Sequence, residues 1–341
     1  MQSRSVFSLW MGIIFALLPS LAVELSRPFQ SAYGFLSALP VGAILYGLFR
    51  LLSKPRKVYQ SRWVSLLFIL LFSFLSTLFV ENFGTRIVHS LMLHSDARFY
   101  NMTLLILAAV FSRFGLKTLG RMAEILCPVF GIILLLIALP ILITKAPAEL
   151  FPLPPEAFLQ VLPQSLSLAV LLGAGSILFL SVDQVPYNKK QCLYTALFAT
   201  VYALLFPLLT TLLSGRYLSV EASPTIFSSL RQLKLFGVIG NPHVLIILPW
   251  MMLSLVTCSC FLTGISVLLK RTIPRFSESF CKTLAPLLVL ILLAIRNEWN
   301  NQPTLSLWLG VIPTGALLFY GLPIIVTLLD RRKTKPPSGG C

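Results

Sequence analysis

The sequence predicts an all-α polytopic membrane protein of about ten transmembrane helices, arranged as an inverted 5+5 repeat. Hydrophobic residues make up 57% of the 341-residue chain and charged residues only 11%, against about 25% charged in a soluble domain. The apolar residues are grouped in runs long enough to form membrane helices. The basic residues alternate between the two sides of the membrane. This composition excludes a cytosolic enzyme, a disordered chain and a disulfide-stapled secreted domain.

The apolar runs define ten predicted spans, numbered 1 to 10 in chain order. A spanning helix needs about 20 mostly apolar residues. The spans cover residues 5–23, 32–52, 63–83, 99–113, 120–144, 163–182, 191–213, 241–268, 280–296 and 304–329. Span 1 has a minimal basic flank and an apolar run longer than that of a signal peptide, so we interpret it as an uncleaved helix. One transmembrane domain is expected over 1–332, followed by a short disordered cytoplasmic tail at 333–341.

The loop charges support this count and set the orientation. Of the 27 Lys and Arg residues, 19 lie in the loops and termini on one side and eight on the other. The positive-inside rule therefore predicts that both termini are cytoplasmic. Since no basic stripe is interleaved with aromatic residues, the net charge of +16 predicts a lipid bilayer as partner and no nucleic acid.

Two of the predicted outer loops differ from the others in composition. The loop at 214–240 contains an amphipathic stretch in which Ile226, Phe227, Leu230 and Leu233 recur at helical spacing. This stretch predicts a short helix over the outer mouth. The outer loop at 146–162 is rich in proline and is predicted to be irregular.

A ligand site is predicted where spans 1 and 6 look interrupted. Pro19 lies inside the apolar run of span 1, and a Gly-Ala-Gly-Ser segment lies inside span 6. Both are the first span of a five-span half, in repeats at about 5–144 and 163–329, and broken helices in matching positions point to transporter binding sites. The alternative is that these residues only pack or kink the helices. The predicted ligand-binding residues are Pro19, Ser20, Ala22, Ser76, Gly173, Ala174, Gly175, Ser176 and Thr257.

The remaining polar residues predict structural roles. Arg121 and Glu124 lie three apart at the inner end of span 5, and we assign them a structural or gating role. Glu81, at the outer end of span 3, is expected to be solvated. No catalytic motif, nucleotide-binding loop or metal-ligand spacing is present in the sequence, so no enzyme activity, cofactor or metal is predicted.

The start of span 5 carries a family resemblance. Residues 115–125 read G-L-K-T-L-G-R-M-A-E-I, which resembles the G-L-x-x-x-x-R-x-A-E-I segment of GerAB-type B subunits of spore germinant receptors. Trp250 in span 8 also looks like a family tryptophan. These subunits are related to amino-acid/polyamine/organocation permeases. The resemblance implies a LeuT-like fold with broken helices 1 and 6, a spore inner-membrane location, and partners in a membrane A subunit and a lipoprotein C subunit.

The expected function is therefore that of a receptor subunit. It would bind a small germinant, such as an amino acid or similar solute, in a central site and signal to its partner subunits. An amino-acid permease and a non-binding assembly subunit remain as alternatives. The sequence departs from the family at Gly175-Ser176, where relatives often have Gly-Glu, and at 240–243 before span 8. These departures concern the identity of the ligand more than the fold.

Overall fold

The computed structural model describes most of the predicted spans. The described residues are 3–26, 38–52, 61–91, 95–144, 165, 168–173, 189–221, 234–235, 239–240, 243–299 and the single positions 315, 317, 321 and 325. Span 10, most of span 6, the amphipathic stretch at 223–233, the loop at 146–162 and the tail at 333–341 lie outside these residues. The predictions made for them stay predictions.

Eight helices are described in full. They are α1 (Ser3–Ser26), α2 (Ala38–Leu52), α3 (Arg62–Leu91), α4 (Ala97–Ser112), α5 (Leu116–Thr144), α6 (Lys189–Glu221), α7 (His243–Thr272) and α8 (Glu278–Trp299). They correspond to spans 1–5 and 7–9, while residues 168–173 of span 6 are also helical. Two two-residue strands, β1 (Lys234–Leu235) and β2 (Ile239–Gly240), pair antiparallel in the predicted outer loop.

Four of these helices are long and apolar enough to cross a membrane: α3, α5, α7 and α8. Two helices are much longer than their predicted spans. The last turns of α3 extend to Leu91 and those of α6 to Glu221, past the predicted ends at 83 and 213. The apolar run ends earlier in α3, but buried Asn82, Arg86 and Ser90 still face the protein interior. Helix length is therefore set by packing as well as by lipid.

Helix α7 lies at the centre of the bundle. It packs against α1, α3, α4, α5 and α8, and α1 also packs against α5 and α6. Helix α2 packs against α6. Since α6 also contacts α1, it lies between α1 and α2.

The register between α3 and α7 follows from two aromatic contacts. Phe72 stacks on Phe261 with centroids 6.2 Å apart, and Phe83 stacks on Trp250 at 5.4 Å. Phe83 is 11 residues after Phe72, and Trp250 is 11 residues before Phe261, so the helices run antiparallel at equal rise. Ser76, four residues after Phe72, is therefore level with Thr257, four residues before Phe261. Both residues fall at the middle of a 30-residue helix.

The predicted break of span 1 at Pro19 is not present, because α1 is one continuous helix from Ser3 to Ser26 with Pro19 inside it. A proline in a helix interior removes one main-chain hydrogen bond and usually kinks or breaks the helix. The bond lost here is the one to the Phe15 carbonyl, four residues earlier. A side chain from another helix supplies a donor to that carbonyl, as described below.

Two glycines allow helices to approach closely. The Gly84 N–H on α3 donates to Asn101 Oδ1 on α4, 2.9 Å away. A Cβ atom at Gly84 would overlap Asn101 and the main-chain oxygen of Ala97. A Cβ atom at Gly42 on α2 would overlap the Thr200 hydroxyl on α6. Small residues of this kind are typical of membrane helix interfaces.

Candidate functional site

Two side chains of α7 bond to the main chain of α1. The Thr257 hydroxyl donates to the Gly12 carbonyl, 3.5 Å away, and the Trp250 indole N–H donates to the Ala16 carbonyl, 3.3 Å away. Thr257 and Trp250 are fully buried. Most threonines in membrane helices bond to their own helix, so a bond from Thr257 across to α1 is informative.

Two further donors reach the same helix from α5 and α6. The Cys127 thiol donates to the Ser8 carbonyl at 3.2 Å, and the Tyr202 hydroxyl donates to the Phe15 carbonyl at 3.5 Å. The Phe15 carbonyl is the one that Pro19 leaves without a helical donor. Together with the bonds from α7, these contacts involve four carbonyls of α1: those of Ser8, Gly12 and Ala16, each about one turn from the next, and that of Phe15. Helix α1 thus presents main-chain acceptors to three neighbouring helices in the core of the bundle.

The serines of α3 and α7 add hydroxyl groups at similar depth. Ser76 Oγ donates to the Phe72 carbonyl of its own helix at 2.7 Å. Its two lone pairs stay available as acceptors. Ser73 Oγ and Ser254 Oγ are buried and have no hydrogen-bond partner among the described residues. Buried hydroxyls without protein partners are uncommon in native proteins, and such groups are suited to bind a polar ligand or an ordered water.

The predicted site residues are placed as follows. Ser76 and Thr257 are buried at the same depth, and Pro19 is buried in α1. Ser20 and Ala22 lie in α1, but the description does not extend to their side chains. Gly173 is helical and buried. Ala174, Gly175 and Ser176 lie outside the described residues, so the predicted interruption of span 6 stays a prediction.

Arg121 and Glu124 lie in the first turns of α5, away from the middle of that helix. Arg121 is exposed and Glu124 is half-buried. Gly115, at the turn before α5, has a φ of +79°. Few residues other than glycine adopt this value readily, so the family-like segment starts from a turn that favours glycine.

The expectation that Glu81 is solvated is wrong. Glu81 on α3 forms an ion pair with Arg296 on α8, and the side chains are 27% and 9% exposed respectively. Glu81 is five residues from the middle of α3, which corresponds to about 7 to 8 Å along the helix. Arg86, five residues further along α3, is only 6% exposed. Spans 3 and 9 therefore carry charged groups inside the protein that their hydropathy did not indicate.

No metal centre is found in the described part of the chain, where no group of three or more His, Cys, Asp or Glu side chains is close enough to hold an ion. Cys127, Cys258, Cys260 and Cys281 are free and buried. They behave as small apolar residues in the core.

Sequence reasoning missed Tyr202 and Trp250 as donors to α1. A proline inside a helix identifies the carbonyl that loses its donor, because that carbonyl is four residues earlier. The donor itself comes from a helix more than 180 residues away in sequence, and no local pattern indicates it.

A bundle of long apolar helices with main-chain acceptors and hydroxyls at its middle defines a helical membrane protein. The comparisons with known proteins agree with this class. A family model described as spore germination protein, Spore_permease, matches residues 8–302, and the chain therefore belongs to the spore germination protein family. This is a transporter- or receptor-type family of membrane proteins and not an enzyme family. No curated protein matches the chain significantly.

Proposed function

We propose that this chain is the membrane subunit of a spore germinant receptor and binds a small germinant, such as an amino acid, at the middle of the bundle. The observation that carries the proposal is the bond from Thr257, which is level with Ser76, to the Gly12 carbonyl of α1. This carbonyl lies one turn from the Phe15 carbonyl, which Pro19 deprives of its helical donor. Transporter sites lie near the midplane and use main-chain groups freed from helical bonding. An ammonium group matches a carbonyl of this kind, which in α1 is that of Phe15, and the hydroxyls of Ser73 and Ser254 are suited to further polar contacts.

The finer parts of the proposal concern architecture and partners. We infer ten helices in two inverted repeats of the LeuT-like kind, with both termini cytoplasmic, in the spore inner membrane. Ligand binding biases the bundle between an open and an occluded state. A membrane A subunit and a lipoprotein C subunit respond to that bias. The family membership and the loop charges support this arrangement.

Thr257→Val tests the proposed site in spores that depend on this chain. Valine keeps the shape of threonine but removes the hydroxyl that reaches α1 and that we expect to contact the ligand. We expect the germinant concentration for half-maximal germination to rise about tenfold, equal to roughly one hydrogen bond in the protein interior. Ser259→Ala is the matched control, because the Ser259 hydroxyl on the same helix donates to the Leu255 carbonyl of that helix and not to α1.

A response of Thr257→Val spores equal to that of the control would overturn the proposed location. A second variant, Gly175→Leu, tests the span-6 half of the site. We expect it to abolish the response while the protein still accumulates in the membrane. An intact response would show that the ligand does not bind between spans 1 and 6.

A further inference from the structure

We propose that the Tyr202 hydroxyl is a latch that keeps α1 continuous across Pro19, and that the central site opens when this hydroxyl leaves the Phe15 carbonyl. This rests on the proposed function, since it names the element that controls access to the same site.

Pro19 determines which main-chain hydrogen bond of α1 is missing. Pro19 has no N–H, so no helical donor reaches the Phe15 carbonyl. In the interior of a membrane protein a carbonyl without a donor costs free energy, because no water can replace the bond. Tyr202 on α6 fills this need with a hydroxyl that is itself buried and donates to that carbonyl at 3.5 Å.

Ring packing holds the hydroxyl in place. The Tyr202 ring meets the Phe15 ring edge-on at 4.6 Å, and it lies 6.5 Å from the rings of Phe130 and Phe198. Phe15 in turn contacts Phe130 at 4.8 Å. Aromatic contacts of this geometry fix orientation beyond simple burial. The tyrosine therefore contacts α1 through its ring as well as its hydroxyl.

The bond from Tyr202 to the Phe15 carbonyl is longer than the optimum. An O–H···O bond is strongest at about 2.7 to 2.8 Å, and this one is 3.5 Å. A ligand donor at normal distance competes well with it. The same bond with ideal geometry would hold the site shut more firmly.

Helix α6 connects the position of Tyr202 to the contact between α6 and α2. Thr200, two residues before Tyr202, faces Gly42 of α2 at a crossing too close for a Cβ atom. Residues two apart lie about 200° around a helix, so Tyr202 faces α1 while Thr200 faces α2. A movement of Tyr202 away from α1 is therefore carried to the α2–α6 pair.

Amide hydrogen exchange of the full chain in lipid nanodiscs, without ligand, tests the latch. Tyr202→Phe removes only the hydroxyl, and we expect exchange in peptides covering 12–22 to become about two- to fivefold faster, as for loss of one weak hydrogen bond. Tyr194→Phe is the matched control, because Tyr194 is exposed on the same helix. Peptides of α3 and α7 should not change in either variant.

Pro19→Ala makes the test specific. Alanine supplies the missing N–H, so exchange in 12–22 should slow about tenfold or more, and adding Tyr202→Phe should then have no further effect. The latch would be overturned if Tyr202→Phe changed exchange in 12–22 equally in the wild-type and the Pro19→Ala chains. It would also be overturned if Tyr202→Phe changed exchange in neither. Pro19→Ala alone keeps the test decisive if Tyr202→Phe does not fold, because unchanged exchange in 12–22 would refute the gap at Phe15.

Ligand addition separates the latch from the proposed function. The standard amino acids, added singly, are the probes. We expect one or more to speed exchange in 12–22 of the wild-type chain, and to bind more tightly to Tyr202→Phe by a similar two- to fivefold factor. If the ligand-free results hold and no amino acid binds, the bond from Tyr202 across Pro19 stands and an amino-acid site at the middle of the bundle is overturned. If an amino acid binds equally to both proteins, the latch fails and the site stands.

Discussion

Replacing Gly84 with alanine should separate α3 from α4. The new Cβ atom would overlap the Asn101 side chain and also the main-chain oxygen of Ala97. A side chain can rotate away, but the Ala97 carbonyl belongs to the first turn of α4, so relief requires the helix to shift. That shift also lengthens the 2.9 Å bond from the Gly84 N–H to Asn101.

The expected loss of stability is about 1 to 3 kcal/mol. Overpacking a close interface costs about 1 to 3 kcal/mol, and a weakened hydrogen bond costs about 1 kcal/mol more. Alanine has a higher helix propensity than glycine, which returns about 1 kcal/mol. The overlap therefore determines that the net effect of Gly84→Ala is a loss of stability.

Equilibrium unfolding in mixed lipid–detergent micelles measures this loss. Gly131→Ala is the control, because a Cβ atom at Gly131 on α5 meets no atom within 4 Å. That variant should be as stable as the wild type or up to about 1 kcal/mol more stable. Adding Asn101→Ala should rescue Gly84→Ala only in part, because the Ala97 oxygen remains. If Gly84→Ala unfolds with the same free energy as Gly131→Ala, the α3–α4 crossing is not as close as described.

Two further changes test other interfaces of the bundle. Glu81→Gln should lower the free energy of unfolding by about 1 to 3 kcal/mol, because it leaves the Arg296 charge without its carboxylate. Exchanging the two residues, as Glu81→Arg with Arg296→Glu, should recover part of this loss. An exchanged protein no more stable than Glu81→Gln would contradict the ion pair. Gly42→Ala should destabilise by about 1 to 3 kcal/mol through overlap with the Thr200 hydroxyl, and Thr200→Ala should relieve it; a loss unchanged by the second substitution would contradict this contact.

Hydropathy predicted the described helices well because a membrane span needs a long apolar run. Spans 2 to 5 and 7 to 9 have clear helical counterparts in the described part of the chain, and α1 covers span 1 from Ser3 to Ser26. The ends of the helices were harder to predict than their existence. The outer turns of α3 are held by buried Asn82, Arg86 and Ser90, and hydropathy assigns such residues to a loop.

The sequence predicted the candidate site only where the type of a residue by itself indicates a structural effect, as for a polar residue in an apolar span or a proline in a helix. Ser76 and Thr257 were chosen as polar residues in apolar spans, and the aromatic register shows that they share one depth. Pro19 correctly indicated a lost helical bond but not a broken helix, since the donor from Tyr202 is a tertiary contact. The partner of Glu81 is 215 residues away, and no local pattern encodes such a pairing.

The most direct test of the account is to measure binding and uptake together, using the purified chain in sealed lipid vesicles and each amino acid that alters germination. A receptor subunit with a central site should show saturable binding that Thr257→Val weakens about tenfold and Ser259→Ala does not, without accumulation of the amino acid inside. Accumulation against a control lacking protein would make the chain a permease. No saturable binding by any of these amino acids would contradict the proposed site.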